Sequence, residues 1–453
     1  MKTSKILRVS APVSALLVVA ISACCVFGKE KTATPVVRFH QITTTSVSKP
    51  LRNPHLVVVG HGSKSSVSVL WRAATKDKSI PGQVYYEPRS THWTILGAAQ
   101  WSEGNAQVLD GVREYHFGQY GDAGGNFSVI LPSSGVRTVS KRLTQPFLIH
   151  PFYNGGGSSS KARIAVRSVS PDLNISTRFY SEVPANSREP KYLAAVKNER
   201  ARLEQMAKES GKKVIDATNL SKAEVGDLSF RQSSVGTPFD YFRFKGTQIA
   251  NGDIWIAGID QVLGDTDIPQ KYTWVFSSSD GGKSWGARTV IGRGNYPTIA
   301  ATSKELLVFS TATAKQFGYK NDWPEVDSYK RNWPGTGTLA VQRSRDNGKT
   351  WGKNLPVLKD DLVIQNSVCV APDGRIHLVY VQSDPMGDKR TSLWLISSGD
   401  NAKTWTKPQR LTDGKTLDRE PDIVWHKGKL LLAFSRGGRG INTDIWLAEI
   451  DAK

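Results

Sequence analysis

Carboxylate and guanidinium groups stand side by side in Asp418-Arg419-Glu420-Pro421-Asp422, directly ahead of the apolar Ile423-Val424-Trp425. A guanidinium grips a carboxylate or sulfate through two parallel hydrogen bonds. A carboxyl group moves a proton when its surroundings set its pKa apart from that of a second carboxyl, and two such groups flanking a glycosidic bond hydrolyse it. Glu420 is therefore a candidate acid/base group and Arg419 a candidate clamp on an anionic sugar. None of the eight His residues falls in a metal spacing such as H-E-x-x-H. His55, His150 and His377 are lone imidazoles, and beside a charge-neutralising Arg any of them could act as the base of a polysaccharide lyase. Neither a metal nor a cofactor is expected.

Side chains at distant positions converge only if the fold brings them together, and the chain carries a repeat that does so. Ser278-x-Asp280-x-Gly282-x-Ser284-Trp285 returns as Ser344-x-Asp346-x-Gly348-x-Thr350-Trp351 and as Ser398-x-Asp400-x-Ala402-x-Thr404-Trp405. Such a unit makes a hairpin turn in which Asp accepts hydrogen bonds across the loop, Gly supplies an unusual φ and Trp packs beneath. A strand-length apolar run precedes each box, and four strands per unit of about 50 residues is the blade pattern of a β-propeller. Units open near Pro238, Pro297, Gln365 and Pro421. The expected fold is all-β, a propeller of six blades with seven as the alternative, and a strand near Val36–Ile42 completes the last blade. Residues 50–184 lack an intact box, so a separate β-sandwich is the rival there. From Tyr192 to Glu209 the residues favour helix, which predicts a helical insertion over about 185–232.

At the start, Lys2, Lys5 and Arg8 precede an apolar run from Ala11 to Ala20, the pattern of an export signal. Ile21-Ser22-Ala23-Cys24 resembles a lipobox, which makes 1–23 a signal peptide of lipoprotein type, Cys24 the lipidated residue and 24–35 a tether to a propeller over 36–453. An ordinary secretory peptide cut a few residues later is the alternative. Periplasm, cell envelope or outer surface is the expected location, with a membrane anchor through Cys24. Only Cys369 lies in the body of the chain, so it has no internal disulfide partner. Removing 1–23 takes three basic and no acidic residues from a charge of +20, leaving +17. That charge favours anionic partners. The basic residues are scattered and not interleaved with aromatics, which excludes the usual nucleic-acid footprint. A monomer that binds an acidic glycan is expected.

The three boxes resemble those of the Asp-box, or BNR-repeat, sialidase superfamily, most specifically over 270–450. Leu51-Arg52-Asn53-Pro54 resembles the Arg-Ile-Pro segment that opens the family's first blade, with Asn53 in place of Ile. The resemblance implies that Arg52 grips a substrate carboxylate, that Arg390 does the same ahead of the third box, and that Asp77 in Arg72-Ala-Ala-Thr-Lys-Asp77 is the acid/base residue. Asp280, Trp285, Asp346, Trp351, Asp400 and Trp405 are its structural box residues. The chain also departs from the family. No Arg stands at Val381-Gln382, no carboxylate at Gln365-Asn366-Ser367, and no Tyr in Asp418–Asp422, where the family places its third triad Arg, its Glu and its nucleophilic Tyr. The resemblance implies sialidase-like glycoside hydrolysis of an acidic sugar. The missing Glu and Tyr leave a non-catalytic glycan-binding propeller as an alternative, beside the lyase.

Overall fold

The short Val-, Ile-, Leu- and Phe-rich runs fold as strands because branched and aromatic side chains pack well on a pleated surface, while Gly, Asn and Asp break them at turns. The computed structural model describes residues 36–43, 51–59, 65–73, 95–102, 105–108, 128–131, 146–153, 162–169, 175–182, 201, 205, 208–209, 245–261, 271–312, 338–358, 363–383, 390–437 and 443–451. Among them the chain runs β1 (Val37–Gln41), β2 (Leu51–Val59), β3 (Ser66–Ala73), β4 (Ile95–Ser102), β5 (Asn105–Val108), β6 (Ser128–Ile130), β7 (Phe147–Tyr153), β8 (Ala162–Val169) and β9 (Ile175–Glu182). There follow β10 (Lys245–Gln248), β11 (Ile254–Gln261), β12 (Lys271–Ser278), β13 (Thr289–Arg293), β14 (Asn295–Ala301), β15 (Leu306–Ala312), β16 (Thr338–Ser344) and β17 (Leu355–Pro356). The last group is β18 (Val363–Val370), β19 (Ile376–Ser383), β20 (Thr391–Ser398), β21 (Gln409–Arg410), β22 (Leu417–His426), β23 (Lys429–Gly437) and β24 (Thr443–Ile450).

These strands form six antiparallel sheets of four, and five of the sheets use consecutive strands from β2–β5 to β18–β21. The sixth takes β22, β23 and β24 and completes itself with β1, Val37 lying opposite Ile450. Arg38 reinforces the junction by donating to Asp451 Oδ1 at 3.0 Å. The first strands β2, β6, β10, β14, β18 and β22 touch one another in that order, and β22 returns to β2. The result is a closed β-propeller, and residues 51–182 supply its first two sheets. A separate sandwich is thereby excluded.

Apolar layers lie between neighbouring sheets. Ile364, Val379, Leu393 and Leu395 of β18–β21 meet Leu430, Leu432, Phe434 and Ala448 of the last sheet. Leu307, Phe309 and Val341 meet Ile376, Leu378 and Tyr380 one sheet earlier. Each such side chain contributes about 1.5–3 kcal/mol on burial, so the ring is held from between its blades.

The strand pairing gives the ring two unlike ends. Val363 at the start of β18 lies opposite Gln382, so inner strands open at one end, the upper face. Ile376 lies opposite Ser398, which puts the box turns at the lower face. The three boxes share the same core of hydrogen bonds. Asp Oδ1 accepts from the Ser hydroxyl two residues before it at 2.7, 2.8 and 2.8 Å. The same oxygen accepts from the N–H four residues on at 3.0, 2.9 and 2.9 Å. Gly282, Gly348 and Ala402 all have positive φ, at 88°, 83° and 61°. At Gly348 an added Cβ would come 2.0 Å from the Trp255 ring, so the turn there needs glycine for space as well as for φ. Each box Trp reaches the preceding sheet: Trp285 Nε1 donates to Ser181 Oγ at 2.7 Å, Trp351 lies edge-on to Trp255, and Trp405 lies edge-on to Phe309.

Of the helical insertion expected over 185–232, Ala201, Gln205, Lys208 and Glu209 are described; all four are helical and exposed. Gln205 donates to Glu209 at 2.7 Å across one turn. The signal peptide, Cys24 and the tether lie outside the described residues. No helix among the described residues is long and apolar enough to cross a membrane.

Candidate functional site

An inner strand of a propeller has no ladder partner on its channel side, so its N–H groups need acceptors from elsewhere. The upper mouth of the ring meets that need with the side chains of adjacent inner strands. Asn53 on β2, Tyr296 on β14 and Glu420 on β22 have φ of 48°, 47° and 57°, uncommon for residues with side chains. Each sits at a register shift and precedes a proline, Pro54, Pro297 or Pro421. The proline removes one N–H from the open edge. The left-handed residue exposes its own N–H, which a polar side chain then takes. Asn53 N donates to Glu420 Oε2 at 2.8 Å, Glu420 N donates to Gln365 Oε1 at 2.8 Å, and Tyr296 N donates to Asn295 Oδ1 at 3.0 Å. Asn366 Nδ2 donates to Tyr296 O at 2.8 Å. A continuous chain of bonds thus runs through β14, β18, β22 and β2.

A second tier lies deeper in the channel. Asp422 Oδ2 accepts Leu56 N at 2.8 Å, Ser367 Oγ accepts Ile423 N at 3.2 Å, and Ser128 Oγ accepts Gly246 N at 3.1 Å. Lys245 donates to Asp422 Oδ1 at 2.9 Å and lies 3.3 Å from His55 Nδ1. The Cys369 thiol is pushed well up by burial and by the Asp422 charge, which makes it a poor nucleophile.

Two of the sequence-predicted site residues meet here. Glu420 holds its carboxylate against Asn53 N and, at 3.0 Å, the Ser435 hydroxyl. Arg419 precedes it, and its carbonyl accepts from the same hydroxyl at 3.1 Å. Arg52 lies on β2 beside Asn53, opposite Arg72; its side chain lies outside the described part, and so does Asp77. Arg390 sits at the same upper end but in a cleft with Gln382, Trp394 and Arg410. His377 is a structural residue: its ring is buried, stacks on Trp425 at 5.7 Å and shares a 2.8 Å hydrogen bond with Ser397 Oγ. His55 is engaged with Lys245, and the side chain of His150 is not described. Asp280, Asp346 and Asp400 serve the lower-face turns. Among the described residues no group of His, Cys, Asp or Glu could hold a metal ion.

Sequence reasoning missed Asn53, Tyr296 and Gln365 as mouth residues. The signal was in Arg52-Asn53-Pro54, Asn295-Tyr296-Pro297 and Arg419-Glu420-Pro421, three matching openings at the same place in their blades.

Residues 333–451, which hold the second and third boxes and strands β22–β24, match the BNR repeat-like domain family. The match covers the C-terminal part of the β-propeller. The chain is similar to a solved protein of unknown function from Dyadobacter fermentans DSM 18053, at 13% identity and a TM-score of 0.54, covering 92% of this chain and 99% of that one. That likeness is one of fold. Trypanosoma rangeli sialidase, solved with the inhibitor DANA, matches at 10% identity and a TM-score of 0.47, over 92% of this chain and 60% of its own length. Penicillium chrysogenum α-L-arabinanase, solved with arabinobiose, matches at 12% identity and a TM-score of 0.36, over 71% and 92%. No curated protein matches the sequence.

Proposed function

We propose that the protein is an exported, sialidase-like carbohydrate-active enzyme that hydrolyses an acidic glycan at the upper mouth of the ring. Glu420 and Asp77 supply the two carboxyl groups, and Arg52 and Arg419 hold the anionic substituent. The observation that supports this is the 2.8 Å bond from Asn53 N to Glu420 Oε2, because it sets Arg52-Asn53 and Arg419-Glu420 side by side on adjacent inner strands. Residues held in sparsely populated backbone conformations cluster at sites where geometry must be fixed before a ligand arrives, and Asn53, Tyr296 and Glu420 surround this mouth.

A second reading, a glycan-binding propeller without chemistry, is favoured by the structural duty of Glu420. Its carboxylate accepts a neighbour's N–H as Asp422 does one tier below. The two readings part in one experiment. Mature protein is incubated with a panel of acidic oligosaccharides, sialosides included, and products are followed by mass spectrometry. Glu420→Gln keeps an acceptor for Asn53 N while losing the carboxyl. An enzyme loses turnover about 10²–10⁴-fold in this variant and in Asp77→Ala, with glycan binding retained. Binding without any product from the wild type leaves the non-catalytic reading, and no binding to the panel removes both.

Export and anchoring belong to the same proposal: the chain is processed before Cys24, lipidated there and held at the envelope as a monomer. Mass spectrometry of the mature N-terminus tests this, and an unmodified terminus at another residue refutes the anchor.

A further inference from the structure

The mouth segment of β22 is not held by its own ladder. Pairing with β23 shifts register between Arg419 and Asp422, Glu420 has φ of 57°, and Pro421 brings no N–H. Two neighbours on β23 take over. The Ser435 hydroxyl reaches Arg419 O at 3.1 Å and Glu420 Oε2 at 3.0 Å. Arg436, opposite Asp418, donates from Nε to Asp418 Oδ1 at 2.8 Å and from Nη2 to Oδ2 at 3.0 Å. The Thr416 hydroxyl donates to Asp418 Oδ1 at 2.9 Å. The Asp418 side chain is fully buried, and a buried carboxylate deprived of its charge partner is costly, so the fork from Arg436 fixes where the segment sits.

The rest of the Arg436 guanidinium meets aromatic rings. Its carbon lies 5.3 Å from the ring centre of Phe39 on β1, 5.0 Å from that of Phe434 on β23 and 4.8 Å from that of Trp446 on β24. All three lie within the roughly 6 Å over which a ring attracts a cation. Phe39 in turn stands edge-on to Phe434 at 6.2 Å. In this sheet β1 is the outermost strand and β22 the innermost, so one side chain spans it from the ring-closing strand to the mouth. A guanidinium bonded along its edge and packed on its faces serves both ends at once. Phe39 does not hold β1 alone. The β1–β24 ladder runs from Val37 to Gln41, and Gln41 Nε2 and Thr43 Oγ1 donate to Asp444 at 3.3 and 3.2 Å.

We propose that Arg436 is a positioning residue that couples the docking of β1 to the geometry of Asp418-Arg419-Glu420, so that closing the ring sets the mouth for its ligand. The use of the mouth rests on the glycan reading above, and the coupling itself rests on the contacts of Arg436. A ring on β1 steadies the guanidinium, the guanidinium steadies Asp418, and the two residues after Asp418 carry the groups that face the ligand.

The test uses the full mature chain and two readouts: amide exchange by mass spectrometry over 417–424 at the mouth and 398–406 at the third box, and affinity for acidic oligosaccharides. Phe39→Leu removes the ring and keeps an apolar side chain, while Phe39→Tyr keeps the ring. Arg436→Met/Asp418→Asn removes both charges, so that neither is left buried alone. Phe39→Leu is expected to speed exchange about threefold or more over 417–424 and to leave 398–406 unchanged, with Phe39→Tyr as wild type. The Arg436→Met/Asp418→Asn variant is expected to exchange faster still at the mouth and to lose about tenfold in glycan affinity, and in that background Phe39→Leu adds nothing. Exchange that rises equally at both ends is general loosening and overturns the coupling, as does an equal effect of Phe39→Leu in both backgrounds. An unchanged mouth in Phe39→Leu, or full glycan affinity in the double variant, overturns it too and leaves the glycan reading intact. Exchange is read without ligand, so a wild type that binds no acidic oligosaccharide removes the glycan reading while the exchange still decides the coupling.

Discussion

The Lys245 ammonium lies 2.9 Å from Asp422 Oδ1, joining the inner strand of one sheet to that of the sheet opposite it in the ring. Asp422 also accepts Leu56 N, so one carboxylate ties three inner strands together in the channel. Both side chains are largely shielded, at 25% and 14% exposure, which makes the pair stronger than a surface one. Lys245→Met is expected to lower unfolding free energy by about 2 kcal/mol, because it leaves a charge short of its partner. Asp422→Asn keeps an acceptor for Leu56 N, and the double variant should recover about 1 kcal/mol relative to the sum of the single changes. Denaturant midpoints of the four proteins provide the cycle. Strict additivity would deny the cross-channel tie.

The box turns give a contrast between two residues at one position. Gly348→Ala puts a methyl group into the Trp255 ring, within 2.0 Å of its nearest atom. The backbone there has φ of 83°. A loss of about 3 kcal/mol or more is expected from overpacking and strain together. The third box already carries Ala402 at φ of 61°, buried in its own layer. Ala402→Gly relaxes φ but loses a packed methyl group, so its effect should stay within about 1 kcal/mol. Thermal unfolding separates the two, and a tolerated Gly348→Ala would contradict the packing.

The lower face was legible in the sequence because a box is a local structure. Ser278, Asp280, Gly282 and Ser284 satisfy one another within a seven-residue turn, so their spacing alone announces it. The upper face was not, because its bonds join residues far apart in the chain. Glu420 meets Gln365 across 55 positions and Asn53 across 367. The prolines at 54, 297 and 421 marked where inner strands open, but nothing in Asn53-Pro54 says which carboxylate will receive its N–H. Arg390 is expected to share an anionic group with Arg52 and Arg419, and it lines a cleft with Trp394 and Arg410 at the same upper end. The first two sheets lack an intact box, and there the ring was inferred from strand-length runs and from the likeness of Leu51-Arg52-Asn53-Pro54 to a blade opening.

Stability should fall with acidity in two windows. His377 is held down to about 4 from an ordinary 6.5, first by burial and then by the Arg375 charge. It folds neutral, so its contribution is complete above pH 6.5 and is lost as the pH falls toward 4. The box carboxylates titrate lower. Asp346 lies at about 2, drawn down by the Thr350 hydroxyl and N–H. Asp280 and Asp400 also lie at about 2, their burial being outweighed by bonds from Ser284 and Thr404. Their contribution is present above the ordinary 3.8 and is lost as pH falls through about 2. His377→Gln should flatten the first window and leave the second, as read from denaturant midpoints against pH. A first window unchanged in that variant would assign it to another group.

Glu420 gives the sharpest separation of structural from chemical duty. Its Oε2 receives both Asn53 N and Ser435 Oγ, at 2.8 and 3.0 Å. Glu420→Ala leaves the Asn53 N–H without its acceptor while the residue stays at φ of 57°, and a loss of about 1–3 kcal/mol is expected. Glu420→Gln offers Asn53 N a carbonyl oxygen and should cost under about 1 kcal/mol. If the carboxyl also does chemistry, the Gln variant is folded, binds glycan and is inactive, and the pH dependence of kcat/KM loses one limb in whatever activity remains. If its duty is structural alone, Gln behaves as wild type in every assay and only Ala differs. Melting temperatures read beside glycan affinity and turnover decide between these outcomes. A Gln variant as unstable as Ala would show that the bond between Asn53 and Glu420 requires the negative charge.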